Sequence, residues 1–294
     1  MQDFIQLVFI GLGVGSLYAL IALGFVLIYK CSSILNMAQG HFVLLGGYLG
    51  YAFTAQLGIP WWASIVLVLI AIAIVSLLIE RFALRPMIGQ PVLAQILMTL
   101  GLSSFVQGGI VMFWGGAIRK PPPIFPSGGL DFRGILLSYE NALSIVVAAV
   151  LLAVFVVFFK YARIGLRMRA VADDAVAAQS LGTRLARVYQ ISWVIAAVVA
   201  ALGGTILGSI GGVHVGLVDL GMKSVVVVLL GGLESVFGVI IAGPILGLIE
   251  SLAIQYVDPY VGGGIKDVVS FAILIPMLLI FPYGLFGWKR IERV

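Results

Sequence analysis

Residues 4–29, 31–79 and 86–118 contain no Asp, Glu, Lys or Arg. About 20 apolar residues cross a bilayer core as a helix. No soluble interior of a chain this size hides so many uncharged segments. Of the 294 residues, 62% are hydrophobic and 10% charged, with a mean hydropathy of +1.19. Soluble domains average roughly 45–50% and about 25%. Lipid must therefore cover part of the surface, and water-soluble classes are excluded. The first run follows Asp3 rather than a basic stretch and meets no small-residue cleavage site. It is expected to remain as a transmembrane helix, not to be removed as a signal peptide.

On the same ruler, spans are expected near 4–29, 34–57, 61–79, 92–114, 139–159, 189–212, 236–257 and 265–286. The stretch 217–233 is either a ninth crossing or a re-entrant half-helix. The expected fold is all-α, a polytopic transmembrane bundle of about eight to nine segments, some broken or re-entrant. It is read as one transmembrane domain over 1–294, with a cytoplasmic loop at 160–188.

Orientation follows the basic residues, which favour cytoplasmic loops. Lys160, Arg163, Arg167, Arg169, Arg184 and Arg187 crowd the 160–188 loop, Arg81 and Arg85 the 80–91 loop, and Lys289, Arg290 and Arg293 the tail. All three are expected inside, with the N-terminus outside. Arg119, Lys120 and Arg133 then fall in a Pro-rich external loop at 115–138, behind Pro121-Pro122-Pro123 and Pro126. The net charge of +5 is accounted for by this topology, without a nucleic-acid partner. Cys31 is the single cysteine, so no internal disulfide forms, and it reads as small apolar filler at a helix end.

The chain has 37 glycines, many at small-xxx-small spacing: Gly11/Gly15, Gly204/Gly208/Gly212 and Gly243/Gly247. Lipid supplies no hydrophobic force between helices, so small residues that permit close backbone approach are what packs them. A tight bundle is expected.

Three segments do not read as plain helices. Residues 34–50 mix Asn36, Gln39 and His41 with several glycines. Unpaired amides in hydrocarbon cost several kcal/mol, so these either line a polar cavity, as in the broken helices of transporters, or cap a helix at the interface. Residues 229–238 place Glu234 among glycines, and an ionisable group at depth costs roughly 2.5–3.5 kcal/mol on insertion scales. Glu234 is therefore expected at a membrane surface or subunit contact, while Glu250 is able to pair within the bundle. Residues 167–182 hold an alanine-rich stretch behind Asp173 and Asp174, as suits a short helix with acids in its first turn and a stop at Gly182.

Taken in order, these blocks resemble the permease subunits of branched-chain (hydrophobic) amino acid ABC importers, over nearly the whole chain. The blocks are Gly15-Ser-Leu-Tyr-Ala-Leu-Ile-Ala-Leu-Gly24, Ile34-Leu-Asn-Met-Ala-Gln-Gly40, the 167–182 loop, Gly231-Gly-Leu-Glu-Ser-Val-Phe-Gly238 and Phe281-Pro-Tyr-Gly-Leu-Phe-Gly287. His41, Val176 and Phe281 stand where the family often has other residues, the first two replacing acids. The resemblance implies a coupling helix in the loop, with Arg169, Asp173, Asp174, Ala177, Ala178, Gly182 and Arg184 as ATPase-coupling residues. It also implies a heterodimer with a second, related permease subunit, plus two cytoplasmic ABC ATPases and a periplasmic binding protein. The location implied is the bacterial inner membrane. Close relatives of the family handle urea and short amides, so that substrate class is the alternative.

Asn36, Gln39, His41 and Thr99 are the candidate residues of a substrate pathway, since an amino-acid backbone needs a few polar contacts on an apolar route. The nearest approach to a phosphate-binding loop, Gly216-Leu-Val-Asp-Leu-Gly221-Met222-Lys223-Ser224, has one residue too many before its lysine. ATP and Mg are therefore expected on partner subunits, and this chain is not expected to be an enzyme or to bind a metal. His41 and His214 offer no catalytic or ligand spacing. A channel or secondary transporter is the other class, but it would call for a relay of intramembrane charges. The charge-free stretches 31–79 and 86–118 argue against one.

Overall fold

The computed structural model describes residues 2–125, 128–132 and 135–287. The tail residues Lys289, Arg290 and Arg293, and the loop residues Pro126 and Arg133, lie outside the described residues. The elements in chain order are α1 (Gln2–Ser32), α2 (Gln39–Tyr51), α3 (Trp61–Ile79), α4 (Val92–Trp114), β1 (Gly129–Phe132), β2 (Ile135–Ser138), α5 (Tyr139–Tyr161), α6 (Arg163–Asp173), α7 (Ala175–Ser180), α8 (Leu185–Gly211), α9 (Leu217–Gly231), α10 (Val236–Tyr256), α11 (Asp258–Val261) and α12 (Ile265–Ile280). Six described helices are long and apolar enough to cross a membrane: Phe4–Ser32, Trp61–Met87, Val92–Trp114, Tyr139–Tyr161, Leu185–Gly211 and Val236–Tyr256. The protein is a polytopic helical bundle.

The other expected spans are shorter or broken. α2 is followed by a π-helical turn at Ala52–Gln56, and α12 has 16 residues. The ambiguous stretch 217–233 forms α9, whose 15 residues rise about 22 Å, less than the ~30 Å of a hydrocarbon core. Within the expected external loop, β1 and β2 pair antiparallel, with Gly129 opposite Ser138. Arg119 and Val213 exchange backbone hydrogen bonds of 2.8 and 2.6 Å, which tie the start of that loop to the end of α8.

The chain resolves into two compact units. One comprises Met1–Val26, Phe125–Leu152 and Lys223–Val294; the other comprises Leu27–Ile124 and Ala153–Met222. In the first unit the two glycine pairs read from sequence meet each other. A Cβ on Gly11 would come 2.7 Å from the Gly247 carbonyl, and one on Gly15 would come 2.8 Å from Pro244 Cα. Also in this unit, Leu285 N–H donates to the Leu230 carbonyl at 2.8 Å and Phe286 N–H to Gly231 at 3.1 Å. The blocks 231–238 and 281–287 are thus packed together.

In the second unit α2 lies along α8. Gly204 backs onto the Val43 backbone, and a Cβ on Gly46 would come 2.7 Å from the Ala201 Cβ. Interfaces this close leave no room for side chains, which is how small residues pack helices in lipid. Cys31 is buried and accepts a hydrogen bond from the Ser192 hydroxyl at 3.2 Å.

Candidate functional site

Four polar side chains singled out from sequence lie in the second unit, and the break before α2 gathers three of them. Asn36, Gln39 and Thr99 are fully buried, and His41 nearly so. The chain is irregular at residues 34–36, and there Asn36 Oδ1 accepts from the Ala38 N–H at 3.0 Å, the local turn typical of asparagine. Asn36 Nδ2 donates to Gln39 Oε1 at 3.2 Å, and Gln39 Nε2 donates to the Ala196 carbonyl of α8 at 3.0 Å. From α4, Thr99 Oγ1 accepts from the Met37 N–H at 3.2 Å and donates to the Ile96 carbonyl at 2.8 Å. Ser103, one turn on, donates to the Met37 carbonyl at 3.2 Å. The backbone groups freed by the break are thus met by side chains from α4, and an α2 amide is tied to α8. His41 stands apart from this cluster: its Nε2 lies 3.0 Å from Gln107 Oε1, and its Nδ1 has no partner among the described residues.

Thr99 also lines a cavity of about 90 Å³ with Glu80, Arg85, Tyr189 and Trp193. Glu80 was not among the residues singled out from sequence, and it is 1% exposed. Its position follows a stripe of four: Ser64, Val68, Ile72 and Ser76 are the buried residues of α3, and Glu80 continues the series. Ser64, Ser76 and Glu80, at multiples of four in a helix otherwise rich in Leu, Ile and Val, were the available signal. Gln190 Nε2 of α8 donates to Glu80 Oε2 at 3.0 Å.

The loop 160–188 contains two helices. α7 is the short alanine-rich helix read from sequence; α6, before it, was not anticipated. Asp174 is the cap: its Oδ1 accepts from the N–H groups of Val176 and Ala177, each at 2.9 Å. Asp173 closes α6 and is exposed. Ala178 is buried at 3% while Ala177 is exposed, so α7 lays one edge down and presents the other. Gly182 has φ +87, a left-handed turn that side chains resist, and a Cβ there would meet nothing within 4 Å. Arg169 Nη2 donates to the Lys160 carbonyl at 2.9 Å, bracing the α5–α6 corner. Arg184 is exposed and lines an open depression of about 300 Å³ with Arg167, Arg187 and Gly182.

In the first unit, Lys223 and Glu250 form a buried ion pair at 3.2 Å. The phosphate-loop-like lysine is thus engaged inside the bundle, on a helix, and Glu250 pairs as its sequence position allowed. Tyr18 Oη donates to Glu250 Oε2 at 3.1 Å, Ser270 Oγ donates to Oε1, and Lys223 Nζ donates to the Lys266 carbonyl at 2.8 Å.

The family described as branched-chain amino acid transport system, permease component, matches residues 7–278. The chain is 33% identical to the high-affinity branched-chain amino acid transport system permease protein LivH of Salmonella typhimurium, over 99% of this chain and 98% of that one. It is 30% identical to the permease protein BraD of Pseudomonas aeruginosa, over 97% and 96%. Among solved structures, PsaBC from Streptococcus pneumoniae in complex with Fab aligns over 94% of this chain and 91% of that one at 13% identity, with a TM-score of 0.48. With sequence blocks, membrane helices and relatives in accord over nearly the full length, the chain belongs to the family of branched-chain amino acid transport system permease components.

Proposed function

We propose that this chain is the membrane-spanning permease subunit of an ATP-driven importer of branched-chain or other hydrophobic amino acids. The observation that carries the reading is the 33% identity to LivH permeases over 99% of the chain. In this reading the chain provides the path and does not hydrolyse ATP. ATP and Mg sit on two ABC ATPase partners, a second related permease completes the pathway, and a periplasmic binding protein delivers substrate. The chain lies in the bacterial inner membrane with 160–188 on the cytoplasmic side.

Asn36, Gln39, His41 and Thr99 contribute polar groups to the route, and the apolar side chain of the substrate travels among aliphatic and aromatic neighbours. α7 serves as the coupling helix. Val176 stands exposed on the helix at 75% and Leu181 just past its end at 88%, followed by Arg184 for acids on the ATPase. A rigid, capped helix transmits force where a solvated loop would not, and the Asp174 cap and Gly182 turn give α7 defined ends.

The substrate reading is tested by reconstituting the complete complex and measuring uptake of leucine, valine, phenylalanine and urea side by side. Uptake of the three amino acids without urea is expected. Urea carried in their place would assign the chain to the amide-transporting branch.

A further inference from the structure

The cavity beside Thr99 is lined by one charge of each sign, and its acid is only half satisfied. Glu80 Oε2 accepts from Gln190, but Oε1 is buried with no hydrogen-bond partner among the described residues. A buried carboxylate oxygen without a donor is costly, and such groups persist where a ligand, ion or water supplies the donor. The backbone brings the counter-charge to the same side. Glu80–Leu84 is a π-helical turn, and the Arg85 N–H donates to the Glu80 carbonyl five residues back. In an α-helix residues five apart fall on nearly opposite faces; the wider π turn swings Arg85 toward Glu80. Both line the cavity, together with the rings of Tyr189 and Trp193 and the aliphatic side chain of Leu84.

We infer that this cavity is a binding site for a free α-amino acid, with Glu80 receiving the ammonium group, Arg85 the carboxylate, and Trp193, Tyr189 and Leu84 the apolar side chain. At about 30 Å³ per water, the cavity's roughly 90 Å³ holds about three waters, room for the ammonium and carboxylate end of an amino acid. A bare cation would use Glu80 but leave Arg85 and the aromatic wall without a role. The inference deepens the transport reading and rests on it, since it names a station on the substrate's route.

The test is equilibrium binding to the complete permease–ATPase complex in lipid nanodiscs, with the binding protein omitted. Three probes are used: leucine, 4-methylpentanoate, which lacks the ammonium, and 3-methylbutylamine, which lacks the carboxylate. Wild type is expected to bind leucine about thirtyfold or more tightly than 4-methylpentanoate, which leaves the buried Glu80 carboxylate unpaired, and by a smaller factor more tightly than 3-methylbutylamine, because Arg85 is exposed. Glu80→Gln keeps the shape and a hydrogen bond to Gln190, and should abolish the preference for leucine over 4-methylpentanoate. Arg85→Ala should abolish the preference over 3-methylbutylamine. Arg85 is exposed, so this variant folds even if the Glu80 variant does not assemble. Leucine binding unchanged in Arg85→Ala, or absent from a wild-type complex that imports leucine, overturns the site and leaves the transport reading intact. A complex that imports no amino acid even with its binding protein overturns the transport reading itself.

Discussion

Lys223 Nζ lies 3.2 Å from Glu250 Oε1, with both side chains 3% exposed, which joins α9 to α10 by a charge pair inside a membrane protein. The pair is fully surrounded by partners. Tyr18 of α1 and Ser270 of α12 donate to the carboxylate, and the Lys266 carbonyl takes a second proton of the ammonium. Removing one member of such a pair leaves a buried charge uncompensated and costs about 3–5 kcal/mol, whereas replacing both by apolar residues is often neutral. Lys223→Met is therefore expected to lower the thermal unfolding midpoint of the purified protein sharply, and Lys223→Met with Glu250→Leu to recover most of it. A single variant as stable as wild type would show that the pair does not hold these helices.

The α7 helix is capped at one end by Asp174 and released at the other by Gly182, whose φ of +87 suits glycine and strains any branched residue. Gly182→Val is expected to abolish uptake and substrate-stimulated ATP hydrolysis while the bundle stays folded, because no atom lies within 4 Å of the new Cβ. Asp174→Ala should have a milder effect in the same direction, having lost a cap of about 1 kcal/mol. Normal transport by Gly182→Val would mean that 173–182 is only a solvated loop.

Gln39 ties the α2 break to α8 through the Ala196 carbonyl, and Thr99 ties it to α4 through the Met37 N–H. Gln39→Ala leaves buried groups unpaired and is expected to cost about 1–3 kcal/mol in stability. If these side chains also line the route, uptake should fall more than the loss of folded protein explains, in Gln39→Ala and in Thr99→Val alike. Uptake per folded complex equal to wild type in both variants would assign them to helix packing alone.

Orientation has its own test, made simple because the native Cys31 is buried. A cysteine substituted at exposed Arg187 is expected to resist impermeant thiol reagents in sealed cells and to react in inverted vesicles. Labelling from outside would reverse the assignment of 160–188.

What the sequence revealed followed local rules. Gly11/Gly15 and Gly243/Gly247 were visible as spacings because helix packing in lipid demands small residues every turn, and the fold brings these two sets together. The Asn36/Gln39 anomaly was legible because amides are conspicuous in an apolar run; the two acids marked the start of α7, but not that Asp173 ends α6 and Asp174 alone caps α7. Long-range relations were not legible. Glu80 finds Gln190 across 110 positions, and nothing in a hydropathy window distinguishes it from the basic loop that follows. The π turn that carries Arg85 toward Glu80 has no residue signature of its own. Lys223 read as part of a failed phosphate loop because its partner lies on the next helix, 27 positions on, and the β1–β2 hairpin was hidden in a Pro-rich loop.

Whether the chain is an ATP-driven permease is decided by leucine uptake into proteoliposomes that hold the permease pair, with the ATPase subunits, ATP and binding protein added or withheld one at a time. Accumulation against a gradient is expected only when all are present, and loss of uptake when any one is withheld. Leucine flux through the permease pair without ATPases or ATP would contradict it and make the chain a channel or secondary transporter.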